Sequence, residues 1–529
     1  MDDATGGHPE IVVAGLLLAV AALVPVARML GVPYPILLVV AGALIALVPG
    51  VPPVVLDPDL VLLIFLPPLL YYAAFITPLR EFRANLAPIS LLAVGLVLAT
   101  CVVVAVVAHA LVDGMSWPAA FALGAIVSPT DPVAATAIAG RLGVPRRIVT
   151  IVEGESLIND ATALVAYKVA IAAVGAGTFS AVDAGWQFVE GLAGGVAIGL
   201  LAGVVVAFIR RRLDDPPVEI TISLLTAYVA YLPAEELGWS GVVAAVTVGL
   251  YMGMQTPNVT TAVVRMQTGP VWEILVFLLN AVLFLLIGLQ LRSVVEAADE
   301  QGADVIRYAI VVSLTVIVVR LLWTYVFMLL PLALSRRIRG RGRPPVNQVT
   351  LIGWMGMRGA VSLAIALGLP ATTEAGAPFA ERPVIIAVVF GVVLSTLVVQ
   401  GLTLAPAVRL LGIRRETDDA EEARARARAA EAALERLRAL EAEEWTFDES
   451  VERFRALFEH RQARFETRLS GDGDGTYEDR NSAWLRMQCT LIAAQREAVE
   501  ALRRDGEISD EVARRVVRDL DLEEARLLT

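Results

Sequence analysis

The segment VEGESLINDATALV (residues 152–165) decides the fold class, because it places charged groups inside an apolar stretch. Glu153, Glu155 and Asp160 occur within eight positions of a chain that is 57% hydrophobic. Ionisable side chains are rare in membrane helices, where they face either the protein interior or a water-filled cavity. The segment therefore predicts a membrane helix that carries a buried polar site.

Apolar runs recur along the chain as far as residue 411, and the mean hydropathy of the whole sequence is +0.68. A membrane-spanning helix needs about 20 such residues. The N-terminal sequence MDDATGGHPE lacks the basic region of a secretory signal, so the first apolar run is predicted to span the membrane. We predict an all-α polytopic membrane protein with thirteen transmembrane helices, at residues 10–30, 34–49, 56–76, 86–112, 116–139, 148–175, 182–209, 217–233, 239–256, 270–291, 305–334, 346–369 and 383–411.

The basic residues of the predicted loops alternate along the chain. The first loop and every second loop after it together contain 18 arginines, whereas the other loops contain only Arg292, Arg307 and Arg382. Cytoplasmic loops of membrane proteins are enriched in Lys and Arg. The alternation predicts that the N-terminus lies outside the cell membrane and that the C-terminal tail is cytoplasmic.

The composition changes after Arg415. Residues 416–529 contain 29 acidic and 19 basic side chains, whereas residues 1–415 contain 25 and 24. We predict a transmembrane domain at 1–415 and a helical cytoplasmic tail at 416–529, whose acidity argues against nucleic acid as a partner. The tail carries no catalytic or phosphate-binding motif that we recognise, so we expect neither an enzyme nor a membrane sensor. Pairing of two tails, a regulatory ligand or partner, and a solvated appendage are the open alternatives for its role.

Predicted helix six starts at the cytoplasmic side of the membrane. With a rise of 1.5 Å per residue, Asp160 lies about 18 Å from that side, close to the middle of the bilayer. Glu153, Ser156 and Asp160 form one stripe along this helix, and Glu155 and Asn159 form a second stripe beside it. The opposite side of the helix is apolar, so both stripes are predicted to face the protein interior or a cavity.

Predicted helix five is interrupted. Pro129 and Pro132 each remove a backbone N–H donor, and each disfavours helical geometry in the residue before it. Thr130 and Asp131 lie between the two prolines, in a segment that we predict to be unwound near the middle of the membrane. Free carbonyl groups and a carboxylate in such a segment are typical of a cation-binding site.

Predicted helix twelve contains a similar feature, GWMGMRGAVSLA at residues 353–364, whose glycines allow either close packing or unwinding. Arg358 lies in it, at about the same depth as Asp160. Two interrupted helices, seven apart in a set of thirteen, indicate an inverted repeat with a site between its halves. Helix eleven places a second arginine, Arg320, inside the membrane. Glu155 is expected to neutralise a buried arginine, and depth alone does not choose between Arg320 and Arg358.

The other polar residues have different expected roles. Asp131 and Asp160 are expected to act in ion or proton transfer, because too few cations are present to pair with them. Asn159 could serve as a hydrogen-bond anchor for the unwound segment, and Glu153 lies near the cytoplasmic mouth, where water could reach it. An isolated carboxylate is costly to keep charged and empty in a medium of low dielectric constant. Asp160 is therefore predicted to hold either a proton or a cation, which couples the two fluxes.

Three motifs occur in order on helices five, six and twelve: SPTDPVA (128–134), GESLINDA (154–161) and GMRGAVSLA (356–364). In this combination the chain resembles the monovalent cation:proton antiporters, in the branch of NhaP-type and mammalian-type Na+/H+ exchangers. The resemblance implies a homodimer that works by elevator-type alternating access. Its dimerisation part would be helices 1–3 and 8–10, and its mobile core would be helices 4–6 and 11–13.

The resemblance also implies roles for single residues. Asn159 and Asp160 match the Asn-Asp pair of electroneutral members, and Glu155 matches the acid that pairs with an arginine of helix eleven, here Arg320. The implied cation-binding residues are Thr130 (through its main chain), Asp131, Ser156 and Asp160.

The chain departs from the family in LPPLLYY (66–72), where many NhaP-type members have a glutamate at the position of Tyr72. The cavity would therefore lack one carboxylate, which leaves the choice between Na+ and K+ open. The expected function is electroneutral exchange of one monovalent cation (Na+, with K+ or Li+ as alternatives) for one H+ in a bacterial cell membrane, for pH and cation homeostasis. No cofactor is expected beyond these transported ions, and membrane lipid is the expected surrounding. A channel is the rival from another class, but it would usually offer a continuous file of sites.

Overall fold

The computed structural model describes residues 9–49, 58–176, 181–297, 302–334, 345–372, 378–413, 419–441, 443, 445–470 and 476–528. These residues are helical apart from turns, and they contain a single isolated β-bridge, between Thr372 and Pro378. The chain divides into two compact units, Met1–Glu416 and Thr417–Thr529.

The first unit is built from apolar helices. In chain order they are α1 (Pro9–Leu30), α2 (Tyr34–Ala46), α3 (Pro58–Ile76), α4 (Leu79–Ala84), α5 (Leu86–Leu111), α6 (Trp117–Val127), α7 (Pro132–Leu142), α8 (Arg146–Ala176), α9 (Ala181–Arg210), α10 (Pro216–Glu236), α11 (Gly241–Val259), α12 (Ala262–Leu289), α13 (Leu291–Ala297), α14 (Gly302–Leu334), α15 (Val346–Trp354), α16 (Ala360–Leu367) and α17 (Arg382–Leu410).

Eight helical segments of the described residues are long and apolar enough to cross a membrane. Four shorter apolar helices accompany them, at Ala14–Leu30, Tyr34–Ala46, Val61–Ile76 and Gly241–Thr256. Large hydrophobic side chains are exposed on the outside of this unit, for example Leu18 (71%), Leu201 (61%) and Leu322 (60%). Such a surface is stable in lipid and not in water. The first unit is therefore a multi-pass membrane domain.

Helix ends rather than proline kinks mark the polar regions of this unit. Helix α6 ends at Val127 and α7 begins at Pro132, so residues 128–131 form a non-helical connection. Helix α15 ends at Trp354 and α16 begins at Ala360, which leaves residues 355–359 non-helical. Two helices instead contain a π-helical turn, Leu91–Leu96 in α5 and Thr396–Gln400 in α17. Such turns disturb the regular hydrogen-bond ladder without ending the helix.

Glycine allows α2 and α12 to pack backbone against backbone. A Cβ atom at Gly288 would lie 2.1 Å from the carbonyl oxygen of Val39, and one at Gly42 would lie 2.3 Å from that of Leu285. Carbon and oxygen atoms cannot approach so closely, so any larger residue would separate the helices. The two helices therefore form one rigid wall inside the unit.

The described residues of the second unit form four polar helices, α18 (Asp419–Leu440), α19 (Asp448–Ser470), α20 (Thr476–Arg504) and α21 (Asp510–Leu528). Helix α18 packs against α19, and it buries Ala423, Ala430 and Leu434. Helix α20 packs against α21, across a turn in which Gly506 adopts a φ of +76°. The sequence SGDGDG at 470–475 is typical of a linker, and its residues after Ser470 lie outside the described part of the chain.

Candidate functional site

The two non-helical connections meet inside the first unit. The backbone N–H of Asp131 donates a hydrogen bond of 2.8 Å to the carbonyl oxygen of Met357. Gly359 lies against the same residue, because a Cβ atom placed there would be 1.9 Å from Oδ2 of Asp131. Only glycine fits at this position, so the two connections are held in direct contact.

Asp131 lies at the N-terminal ends of two helices. Its Oδ1 accepts a hydrogen bond of 2.8 Å from the backbone N–H of Val133, in the first turn of α7. The residue that it faces, Gly359, directly precedes α16. Helix N-termini carry a partial positive charge. Both helices therefore stabilise a negative charge on Asp131.

Arg320 and Arg358 lie at the C-terminal ends of the opposing half-helices. Arg358 donates to the carbonyl oxygens of Val127 (2.9 Å) and Ser128 (3.5 Å) at the end of α6. Arg320 donates to the carbonyl oxygens of Gly353 and Ile352, both at 3.2 Å, at the end of α15. Helix C-termini carry a partial negative charge and unsatisfied carbonyl groups. The two guanidinium groups neutralise the partial negative charge of these helix ends and donate hydrogen bonds to their free carbonyl groups.

Arg320 also forms a bidentate ion pair with Glu155. Its Nη1 and Nη2 lie 2.5 Å and 2.9 Å from Oε1 and Oε2 of the carboxylate. The side chains are 0% and 1% exposed, so water does not screen the pair. The depths of Arg320 and Arg358 along their predicted helices did not distinguish them as partners of Glu155. In the structure, Arg320 is the one in contact with Glu155.

Helix α8 holds the connection at 128–131 through Thr130. Ser156 Oγ donates a hydrogen bond to the carbonyl oxygen of Thr130 (3.0 Å), and Thr130 Oγ1 donates one to Glu155 Oε1 (3.1 Å). Asn159 Nδ2 donates to Thr130 Oγ1 at 2.9 Å. Asn159 is 0% exposed, and its Oδ1 has no hydrogen-bond partner within the described part of the chain. Asn159 thus anchors the non-helical connection to α8.

A cavity of about 420 Å³ lies beside these connections. None of its lining residues is Lys or Arg, although the described part of the unit contains buried arginines nearby. Glu155, Arg320, Arg358 and Asn159 do not line it. Of the residues singled out in the sequence, the cavity is lined by Thr130, Asp131, Ser156, Asp160, Glu153 and Tyr72.

Asp160 differs from the other buried acids. Asp160 is 8% exposed, and its carboxyl group makes no hydrogen bond or ion pair with any described residue. Asp131 by contrast receives backbone donors, and Glu155 has Arg320. Asp160 therefore faces the cavity as a carboxyl group without a protein partner in the part of the chain that the structure describes.

The opposite wall of the cavity includes polar residues that sequence reasoning missed. Tyr34 begins α2, and Asn280 lies in α12 within an otherwise apolar buried run. Asn280 is 5% exposed, and its Nδ2 donates to the carbonyl oxygen of Val276 at 2.9 Å. An amide inside the run LLNAVLF was a detectable signal, because buried polar side chains in membrane helices are uncommon. Thr136 and Ser362 also line the cavity.

Tyr72 takes part in the same wall. Its ring stacks on Trp272, with ring centroids 5.4 Å apart and an interplanar angle of 11°. The position at which the resemblance implied a glutamate is thus occupied by an aromatic ring that stacks on a second ring.

An apolar helical bundle that encloses carboxyl groups between interrupted helices belongs to the class of membrane ion transporters. Residues 15–410 match the family described as sodium/hydrogen exchanger, transmembrane. The chain belongs to this family, and the resemblance drawn from the three motifs is confirmed.

The comparisons with individual proteins agree with this assignment. An uncharacterised Na+/H+ exchanger of Mycobacterium tuberculosis is 38% identical over 525 residues, which is 97% of this chain and 96% of the relative. A sodium, potassium, lithium and rubidium/H+ antiporter of Bacillus pumilus is 35% identical over 384 residues, 70% of this chain and 57% of the relative. The solved structure of the sodium proton antiporter MjNhaP1 from Methanocaldococcus jannaschii aligns with a TM-score of 0.59 and 20% identity, over 77% of this chain and 99% of that one. This last likeness concerns the fold alone.

Proposed function

We propose that this protein exchanges a monovalent cation for H+ across the cell membrane, and that Asp160 carries the two ions alternately. One observation carries the proposal. Asp160 faces a cavity that it shares with Asp131, Thr130 and Ser156, and it has no cationic partner among the described residues. A carboxyl group in this setting is stable when it is protonated or when a cation lies beside it, and it is unstable when it is charged and empty.

The neighbouring oxygen atoms suit a small hard cation. The carboxylate of Asp131, the hydroxyl of Ser156 and the main chain of Thr130 all belong to the lining of the cavity. Oxygen ligands of this kind bind alkali cations in place of water, as carbonyl groups and helix ends do at other interrupted membrane helices. A proton and a cation exclude each other at one carboxyl group, so inward movement of one is coupled to outward movement of the other.

We assign the two walls of the cavity to two parts of an elevator-type transporter. The eight long segments, the four shorter apolar helices and the interrupted pair α15–α16 would make thirteen spans in two inverted repeats, with the N-terminus outside. The mobile core would consist of α5–α8 and α14–α17, which carry Asp131 and Asp160. The dimerisation part would consist of α1–α3 and α10–α12 in a homodimer. The rigid contact of α2 with α12 supports a static role for this wall.

The exchange is proposed to be electroneutral. Asp160 is preceded by Asn159, whose side chain is engaged with Thr130 rather than available as a second proton carrier. One cation for one proton moves no net charge, so an imposed membrane potential should leave the exchange rate unchanged. A rate that follows the potential would contradict this stoichiometry.

Na+ is the first candidate for the cation, and K+ is the second. Tyr72 favours K+ as an alternative, because an aromatic ring replaces the carboxylate that would strengthen binding of the more tightly hydrated Na+. The relative from Bacillus pumilus, which is named for transport of Na+, K+, Li+ and Rb+, supports the breadth of this choice.

The test is dissipation of a proton gradient in proteoliposomes, with Li+, Na+ and K+ added separately between pH 6 and 9. The wild-type protein should dissipate the gradient in a saturable manner, and its apparent KM for the cation should rise as the pH falls, because protons compete for the same group. Asp160→Asn should abolish exchange. Exchange at the wild-type rate in this variant would refute the proposal, and non-saturable flux of cations without protons would indicate a channel.

A further inference from the structure

Glu153 is a third acidic residue of the cavity, outside the set that is proposed to bind the cation. It lines the same cavity as Asp131 and Asp160. It makes no hydrogen bond or ion pair to any described residue. Glu81 of α4, a helix that packs against α8, is already engaged, because Thr150 Oγ1 donates a hydrogen bond to its Oε2 at 3.0 Å.

The position of Glu153 along α8 places it on the cytoplasmic side of Asp160 in the proposed topology. Glu153, Ser156 and Asp160 follow one stripe of this helix, and Glu153 precedes Asp160 by seven residues, or about 10 Å. It lies towards Arg146, where α8 begins, which is the cytoplasmic end in the proposed topology. The next residue, Gly154, faces elsewhere and packs against Ile89 and Phe82. Glu153 is therefore directed into the cavity between Asp160 and the cytoplasm.

We propose that Glu153 is a positioning residue that attracts the cation from the cytoplasm into the cavity and towards Asp160. This inference rests on the proposed function of Asp160. Two unit charges about 10 Å apart, at an effective dielectric constant of about 20, attract each other enough to change local occupancy roughly tenfold. A cation that enters from the cytoplasm passes Glu153 before it reaches Asp160, whereas a cation that enters from the outer face does not. The effect on binding should therefore be larger at the cytoplasmic face.

The charge of Glu153 is tested by cation-dependent exchange in everted and right-side-out membrane vesicles, which present the cytoplasmic and the outer face. Glu153→Gln should raise the KM for Na+ at the cytoplasmic face roughly tenfold at low ionic strength, with the maximal rate kept within about twofold. The KM at the outer face should rise less than the KM at the cytoplasmic face, and an equal rise at both faces would contradict the proposal. Glu153→Asp, which keeps the charge, should restore most of the cytoplasmic affinity.

Screening provides a second measurement. Added choline chloride shortens the range of electrostatic attraction. The difference in cytoplasmic KM between the wild-type protein and Glu153→Gln should therefore shrink as choline chloride is raised. If the variant does not accumulate in the membrane, the same salt series on the wild-type protein tests the proposal. The cytoplasmic KM of the wild-type protein must then rise more steeply with choline chloride than its outer KM.

Glu190→Gln is the matched control, because it removes one acidic charge from α9 at a different cavity, the one lined by Lys168 and Trp239. It should leave both KM values unchanged. The inference is overturned if Glu153→Gln keeps the wild-type KM at the cytoplasmic face, or if it loses maximal rate at an unchanged KM, while Asp160→Asn abolishes exchange. Absence of exchange in the wild-type protein would instead overturn the proposed function itself.

Discussion

At the scale of single residues, the buried charges beside the two non-helical connections fall into two groups. Asp131, Arg320 and Arg358 are each placed at a helix end of opposite partial charge, and Glu155 is neutralised by Arg320. These four side chains stabilise the two non-helical connections. Asp160 makes no such contact with the described residues. Asp160 is therefore available for exchange, whereas the charges of Asp131, Glu155, Arg320 and Arg358 are compensated by helix ends or by each other.

The pair of Glu155 and Arg320 should be essential for stability. Glu155→Gln leaves Arg320 buried with an uncompensated charge, and removal of one partner from a buried pair costs about 3–5 kcal/mol. We expect a large decrease of the thermal unfolding temperature in detergent, measured by intrinsic tryptophan fluorescence. Arg320→Met should have a similar effect.

The double variant separates this ion pair from independent packing effects. Glu155→Gln combined with Arg320→Met removes both charges, so the loss of stability should be clearly smaller than the sum of the two single losses. Additive losses would show that the two side chains act separately, in contradiction to the contact at 2.5 Å between them.

At the scale of elements, the sequence predicted most of the apolar helices to within a few residues, because hydropathy is a local property. The helix predicted at 148–175 is observed as Arg146–Ala176, whereas the helix predicted at 270–291 begins eight residues earlier, at Ala262. Residues 128–131 are non-helical at the position where Pro129 and Pro132 disfavour a helix. The π-helical turns at Leu91–Leu96 and Thr396–Gln400 could not be predicted, because neither segment contains a proline and hydropathy does not distinguish a π-helical turn from an α-helix. The choice of Arg320 for Glu155 and the place of Asn280 in the cavity depend on packing between distant segments, which local patterns do not specify.

The contact between the two connections predicts a strict requirement for glycine at position 359. A Cβ atom there would lie 2.3 Å from Cβ of Asp131, so Gly359→Ala must displace Asp131 or separate α7 from α16. Misplacement of a functional group by about 1 Å lowers rates on the order of a hundredfold. We expect a loss of maximal exchange rate of this order in proteoliposomes.

Gly140→Ala is the matched control for this variant. Gly140 lies in α7, and a Cβ atom there would have no neighbour within 4 Å. Alanine favours a helix over glycine by about 0.5–1 kcal/mol, so this variant should be at least as stable as the wild-type protein and should exchange normally. Equal exchange rates in Gly359→Ala and Gly140→Ala would show that the contact with Asp131 is unimportant.

At the scale of the whole molecule, the membrane domain and the tail are separate compact units, with the boundary between Glu416 and Thr417. The family match covers residues 15–410 and stops before the tail. The relative from Mycobacterium tuberculosis is similar over 97% of the chain, so its similarity extends into the tail. The exchange chemistry and the tail are therefore distinct parts of the molecule, and the tail can be removed without loss of any residue of the cavity.

A chain that ends at Glu416 should fold and exchange cations, because every residue that lines the cavity lies in the first unit. We expect the truncated protein to elute as one species in size-exclusion chromatography, with a maximal exchange rate within about twofold of the full chain. The oligomeric state and the pH profile of exchange then report the role of residues 417–529. If the full chain is the proposed homodimer, its dissociation on truncation would indicate pairing between tails. A displaced pH profile would indicate regulation of the membrane domain. Loss of folding would contradict the independence of the two units.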